Sequence, residues 1–157
     1  MNNKILRMVL VLGLAASCLF MSACTRDRKA DDEPEIVVEL RNDTWIMEQY
    51  LGSVQDYDHV VYEQVYADWG GRSIGPTESE FRGIIYLTEE EADRIRNAYE
   101  WEQTEAPKFE FGKVDSGSVG EGPWYSCEQF SKDNFKTVNV LYVVFDGEKI
   151  VFDIHQT

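Results

Sequence analysis

The C-terminal end of the chain constrains the fold more than any other stretch. Residues 138–145 are nearly all apolar, the pair Asp146-Gly147 follows, and a second apolar segment runs over residues 149–154. An Asp-Gly pair between two such segments is a strong signal for a β-hairpin. The first strand is apolar on both faces, with Val138, Val140, Tyr142 and Val144 predicted on one and Leu141, Val143 and Phe145 on the other. We expect such a strand inside a sheet, with a neighbour on each side.

The second strand of this hairpin alternates more clearly. Ile150, Phe152 and Ile154 are predicted to point one way, and Val151, Asp153 and His155 the other. It therefore places one His and one carboxylate on a single face of the sheet.

Upstream segments indicate further strands and two helices. β-branched and aromatic residues favour strands at 60–66, where Val61, Val65 and Trp69 would also fit a helical stripe, and at 81–87. Residues 36–40 and 109–111 are shorter candidate strands. Asp43 or Thr44 can cap a short helix over 45–51 that ends near Gly52. Thr88 and Glu91 have capping-box spacing, which predicts a helix over about 89–100. The fold class that follows is α+β, with an antiparallel sheet of about 4–5 strands, two helices and the C-terminal hairpin.

The N-terminus has the pattern of an export signal. Lys4 and Arg7 precede an apolar run over residues 8–21, and Ser22-Ala23-Cys24 follows. The run is short for a permanent membrane helix and suits the apolar centre of a secretory signal. It resembles the lipobox of bacterial lipoproteins, with Met21 where Leu is usual. Residues 83–92 with Tyr99-Glu100-Trp101 are also similar to small lipoproteins without an assigned activity.

The lipobox resemblance implies a domain plan and a location. It implies cleavage after residue 23, lipid attachment to Cys24, and a chain held by its lipid at the extracytoplasmic face of the cell membrane. The polar segment 24–34 is then a disordered tether, and residues 35–157 form a single acidic domain. The alternatives are an ordinary secretory signal with an incidental Cys, or processing at Cys18.

The charge of the exported part excludes one class of partner. Of 15 Lys and Arg, Lys4 and Arg7 leave with the signal, so 13 basic residues remain against 29 acidic ones, a formal charge of −16. Such a surface repels phosphate groups, and we therefore predict no nucleic-acid binding. Cys127 would be the only thiol left beside a lipidated Cys24, so no internal disulfide is expected.

Aromatic residues near two glycine-rich loops are the candidate ligand-facing residues. These are Trp69, Arg72, Trp124 and Tyr125. Exposed aromatic side chains in loops commonly bind a sugar face or a protein. The competing interpretation is that the tryptophans fill the ends of the core.

Catalytic and cofactor motifs are weak in this sequence. Asp153 with His155, and His59 near Asp56 and Asp58, could form a His–carboxylate pair, but no metal-ligand spacing or nucleophile motif accompanies them. We predict no cofactor and no metal site. The sequence favours a non-enzymatic binding or interaction module of the cell envelope with a protein or glycan ligand. The alternative is an envelope hydrolase or cation-dependent enzyme.

Overall fold

The structure is a computed structural model that describes residues 33–70 and 78–156. Cys24, Arg72 and the predicted signal lie outside the described residues. Every strand, helix and core side chain discussed below belongs to one compact unit, Pro34–Thr157. Residues 34–157 therefore hold the whole of the described core. In the part of the chain described, no helix is long and apolar enough to cross a bilayer.

The described residues form one antiparallel sheet with helices, which confirms the α+β class. The strands are β1 (Glu35–Arg41), β2 (His59–Asp68), β3 (Ser79–Tyr86), β4 (Glu102–Thr104), β5 (Trp124–Ser126), β6 (Asn139–Phe145) and β7 (Lys149–Gln156). They lie in the order β1-β2-β3-β7-β6-β5-β4. The helices are α1 (Trp45–Tyr50), α2 (Glu89–Ala98) and α3 (Glu128–Asn134), with a 3-10 turn at Ser116–Ser118.

The sequence prediction underestimated the number of elements. Within the described residues the sheet has seven strands instead of four or five, and there are three α-helices instead of two. The missed strands β4 and β5 are three residues long each and exist through pairing with each other. The predicted strand at 109–111 is wrong: these residues lie in a connection, and the alternation arises because Phe109 and Phe111 pack on the sheet.

The predicted hairpin is confirmed, with a change of register. Strands β6 and β7 pair from Asn139↔His155 to Phe145↔Ile150, with an irregularity between Val140 and Tyr142. This irregularity moves Val138 to the opposite face from Tyr142 and Val144, so the predicted face of four residues is wrong. The interior position holds for the C-terminal end of β6, which reaches β5 at Tyr125↔Phe145, whereas Leu141 stays 58% exposed.

The two faces of the sheet are covered by different kinds of structure. On the first, which we call the helix face, residues of β2, β3, β6 and β7 pack against α1, α2 and α3. Its fully buried members include Tyr62, Phe81, Ile150, Phe152 and Ile154. The second, which we call the loop face, buries Ile84, Val144 and Val151 beneath Val114, Trp124 and neighbouring aromatic residues of segment 105–124.

One carboxylate fixes segment 105–124 to the loop face. Glu63 of β2 is fully buried, and its carboxylate accepts hydrogen bonds from the Gly112 and Lys113 amides, at 2.9 Å and 2.7 Å, and from Arg82. Burial alone would raise the pKa of Glu63, but these donors outweigh it and the pKa is lowered. The amides of this irregular segment thus receive the acceptor that a neighbouring strand would otherwise supply.

Helix α2 begins as its cap predicts, with one difference. The Thr88 hydroxyl accepts from the Glu91 amide at 3.3 Å. The Glu91 carboxylate does not return to Thr88; it accepts from the Gln55 amide at 2.7 Å and pairs with Arg94. Glu91 therefore joins α2 to the connection before β2.

Candidate functional site

The four predicted ligand-facing residues do not form one site. Trp69 follows β2 and is 47% exposed, Arg72 lies outside the described residues, and Trp124 and Tyr125 are in β5. Strands β2 and β5 are separated by four steps in the strand order, roughly 19 Å at the usual spacing.

Trp124 is a core residue and does not face a ligand. Its side chain is 2% exposed and packs in the loop-face core with Ile84, Val144 and Val151. Adjacent residues of a strand point to opposite faces, so Tyr125 points to the helix face, where it is half-buried. For Trp124 the core-filling interpretation is therefore the correct one, and Tyr125 is the residue of this pair that reaches solvent.

Tyr125 lines a cleft that we call the aromatic cleft. Its volume is about 460 Å³, and its walls include Arg96, Tyr99, Trp101, Tyr125, Phe145 and Asp146. The helix α2 supplies Arg96, the connection from α2 to β4 supplies Tyr99 and Trp101, and the hairpin turn supplies Asp146. The cleft forms where α2, β5 and the turn between β6 and β7 meet.

The aromatic walls are held by contacts behind them. The Trp101 indole donates to the Ile95 carbonyl at 3.2 Å, and its ring lies 5.0 Å from Phe145 and 5.3 Å from Phe130. The Tyr99 hydroxyl donates to an Asp133 carboxylate oxygen at 3.2 Å. Both rings are half-buried. The cleft is thus largely pre-formed, which reduces the ordering cost of binding.

Arg96 connects α2 with the hairpin turn. Its guanidinium donates to the Gly147 carbonyl at 2.6 Å, pairs with Asp93, and lies 6.0 Å from the Phe145 ring. It also lines a second cleft of about 520 Å³ with His59, Tyr86, Glu89, Asp93 and Glu148. Arg96 therefore separates an aromatic cleft from a more acidic one, in which His59 stacks on Tyr86 at 4.2 Å.

Two further clefts border other parts of the domain. One, of about 530 Å³, is lined by Tyr99, Ser126, Cys127, Lys132 and acidic residues. Cys127 is buried there, and its Sγ accepts from the Phe130 amide at the start of α3. The other, of about 350 Å³, lies along segment 105–124 at Phe109 and Phe111.

The His–carboxylate pair of β7 lies on the loop face. Asp153 pairs with Arg82 of β3 and with Tyr142 of β6, and His155 pairs with Glu80 of β3. Asp153 is 6% exposed, and its Oδ1 atom has no hydrogen-bond partner within the described residues. Burial, with the negative charge of Glu80, raises the pKa of Asp153 to about 6.

Neither Asp153 nor His155 lines any of the four clefts described above. Within residues 33–70 and 78–156, no group of three or more His, Cys, Asp or Glu side chains is arranged to hold a metal ion. The second predicted cluster separates in part: Asp58 and His59 line the second cleft together, with His59 stacked on Tyr86, whereas Asp56 accepts from the Thr88 hydroxyl at 3.2 Å.

Sequence reasoning missed most of the aromatic cleft. Arg96, Tyr99 and Trp101 lie at and just after the end of the predicted helix over about 89–100. Nothing in their spacing indicates that Tyr125 and Asp146 lie beside them. The only available signal was the pair of aromatic residues after the last turn of α2.

No family model, curated protein or solved structure compared with the chain matches it.

Proposed function

We propose that the protein is a lipid-anchored extracytoplasmic protein whose domain binds a ligand of the cell envelope without chemical conversion. The lipobox pattern ending at Cys24 supports the anchor. The aromatic cleft supports binding, and it is the observation that carries the proposal. Its volume of about 460 Å³ lies in the range of small-molecule sites, about 300–1,000 Å³.

The side chains of the cleft favour a glycan as the ligand. Sugar rings have an apolar face of C–H groups and a polar rim, and they pack on aromatic rings with their hydroxyls hydrogen-bonded at the edge. Tyr99, Trp101 and Tyr125 supply half-buried rings, and Arg96 and Asp146 supply polar groups at the wall. A protein segment with an aromatic anchor is the alternative ligand class.

An envelope hydrolase using Asp153 and His155 is the alternative function. Such a site needs a concave surface where the substrate can reach both groups. The four clefts described lie elsewhere, and Asp153 is almost fully covered. These observations favour the binding module.

Calorimetric titration with soluble N-acetylhexosamine oligosaccharides tests the proposal. We expect the wild-type chain to bind and Tyr125→Ala to bind about tenfold more weakly or worse, because a sugar-facing ring is lost. Tyr66→Ala is the matched control, since Tyr66 is also a half-buried strand tyrosine and lies in β2. Equal binding by wild type and Tyr125→Ala, or no binding by wild type, would reject a glycan site in this cleft.

The anchor has its own test. Cys24→Ala should remove the acceptor thiol, so labelled fatty acid should no longer enter the chain and precursor should accumulate. Continued labelling of Cys24→Ala would show that lipid is attached elsewhere.

A further inference from the structure

Strand β1 is the terminal strand of the described sheet and carries exposed apolar residues. In the described part of the chain it pairs with β2 on one side only and stands at the end of the strand order. Ile36 and Leu40 are 63% and 53% exposed, and Val38 between them is half-buried. Leu40 pairs with Glu63, which faces the loop face, so Leu40 lies on that face too. Val38 and Ile36 follow at every second position of the strand and therefore lie on the same face. Long edge strands with exposed apolar residues are ready to pair with another strand.

The sequence of β1 is complementary to itself when read in the antiparallel direction. The strand reads Glu-Ile-Val-Val-Glu-Leu-Arg over Glu35–Arg41. If two copies meet about a two-fold axis at Val38, Glu35 of each lies opposite Arg41 of the other. In the same register Ile36 lies opposite Leu40, and Val37 lies opposite Glu39. No two like charges are directly opposed, and the apolar residues of the loop face meet each other.

We propose that β1 is the interface with a second copy of this chain. The two β1 strands pair antiparallel about Val38 and join two sheets into one across a two-fold axis. An isologous contact of this kind uses the same surface on both copies, which is what a self-complementary strand provides. Seven opposed pairs exchange roughly six to eight backbone hydrogen bonds, because every second pair makes two.

The side chains at the ends of the strand fit this pairing. Arg41 retains 30% exposure of its side chain while it contacts Asp43 at 2.8 Å and donates to Gln64 at 3.0 Å. These contacts hold the guanidinium at the end of β1, where Glu35 of the second copy would arrive, and Glu35 itself is exposed. A strand of unlike sequence would not match both the charges and the apolar positions in one register. The pairing does not depend on the aromatic cleft, which is near the other end of the strand order.

Disulfide formation between introduced cysteines tests the register. Two variants of the full chain, Ile36→Cys and Leu40→Cys, would each also carry Cys18→Ala and Cys24→Ala, so that buried Cys127 is the only other thiol. Directly opposed residues have Cα atoms about 4.5–5.5 Å apart, within the range of a disulfide. Residue 36 and its own copy are displaced by four positions, about 13 Å, which is too far. We therefore expect a disulfide-linked dimer when the two variants are co-expressed, and little when either is expressed alone.

A third variant checks the centre of the interface. Val38→Cys should link to itself, and adding Leu40→Glu should abolish this link by opposing Ile36 with a charge. The matched control adds Leu141→Glu, a substitution at a similarly exposed leucine of β6, and should leave the link intact. The proposal would be overturned if Ile36→Cys or Leu40→Cys alone linked as strongly as the co-expressed pair, or if both Val38→Cys and the co-expressed pair failed to link. An extended peptide from another protein on β1 would give the second of these outcomes.

Discussion

The helix face and the loop face of the sheet bury their residues by different means. The helix face is covered by three helices, which pack apolar side chains against the sheet. The loop face is covered by an irregular segment, which lacks the regular hydrogen bonds of a helix, and the Glu63 carboxylate accepts from its amides. Charged residues are therefore buried on the loop face as part of the structure. The open cleft with aromatic walls lies beside α2, where the helices leave part of the sheet near Tyr125 uncovered.

This difference gives Asp153 a structural explanation. A buried carboxylate with a raised pKa resembles a catalytic group, but ion-pair networks with a structural role also shift pKa values. Asp153 lies two strands from Glu63 in the strand order, with Arg82 of β3 between them. Glu63, Arg82 and Asp153 thus form one polar row of the loop face, in which Glu63 attaches segment 105–124, and our proposal of ligand binding rests on the aromatic cleft.

Loss of β7 should reduce the stability of the domain most, because β7 contributes core residues to both faces of the sheet. Its residues Ile150, Phe152 and Ile154 fill the helix-face core, and Val151 fills the loop-face core. Each buried apolar side chain contributes about 1.5–3 kcal/mol, against a total stability of about 5–15 kcal/mol for a typical domain. A chain of residues 25–145 should therefore show no cooperative thermal unfolding by circular dichroism. A chain ending at residue 155 is the control, and a cooperative melt of the shorter chain near that of the control would refute the assignment.

Removal of the Glu63 carboxylate should break the loop face selectively. Glu63→Ala leaves Arg82 and the amides of residues 112–114 without their acceptor, at a cost of about 3–5 kcal/mol. Hydrogen exchange should show loss of protection at these amides before residues of the helix face. The control Glu128→Ala breaks an exposed ion pair with Lys132 and should leave the melting temperature nearly unchanged. Uniform loss of protection over both faces would contradict the separate attachment of segment 105–124.

The helix face should be sensitive to added volume. A Cβ atom at Gly83 would overlap the Tyr62 side chain and lie 2.5 Å from the Val61 carbonyl oxygen. Gly83→Ala should therefore destabilise the domain by about 1–3 kcal/mol in denaturant titration. At Gly52 a Cβ atom would meet nothing within 4 Å, so Gly52→Ala is the control. Equal stability of both variants would mean that this part of the sheet is loosely packed.

Asp153→Asn should change the stability of the domain less, and should increase it. The folded-state pKa of Asp153, about 6, lies above its ordinary value of 3.8, so ionisation opposes folding at neutral pH. The penalty is fully present above the folded-state pKa and is lost as the pH falls from about 6 towards about 4. The variant should be more stable than wild type by about 1–2 kcal/mol at pH 7.5, and the gap should close towards pH 4. Asp58→Asn changes the same charge at an exposed position and serves as the control; a stability gap for Asp153→Asn that does not vary with pH would contradict burial of an ionised carboxylate.

The parts of the fold that local patterns determine were predictable. Strands β2, β3, β6 and β7 and helix α2 follow from apolar periodicity, the Asp146-Gly147 turn and the Thr88 cap. Strands β4 and β5 were not predictable, because three-residue segments carry too little pattern and are specified by their pairing. The irregularity in β6 also escaped, and it reversed the face assigned to Val138.

The candidate site was less predictable than the fold. Of the adjacent residues Trp124 and Tyr125, the sequence did not say which faces solvent, since that depends on which side of the sheet is left uncovered. Arg96, Trp101 and Asp146 meet through tertiary packing of α2 against the hairpin turn, over about fifty residues of sequence. Likewise, the role of Glu63 depends on amides more than forty residues away.

The most direct test compares the aromatic cleft with the polar row of the loop face in one binding measurement. Calorimetry with the same N-acetylhexosamine oligosaccharide would be run on wild type, Tyr125→Ala in the aromatic cleft and Asp153→Asn in the polar row. We expect Asp153→Asn to bind as wild type does and Tyr125→Ala to bind about tenfold more weakly or worse. Loss of binding in Asp153→Asn with full binding by Tyr125→Ala would contradict it and would place the functional site on the loop face.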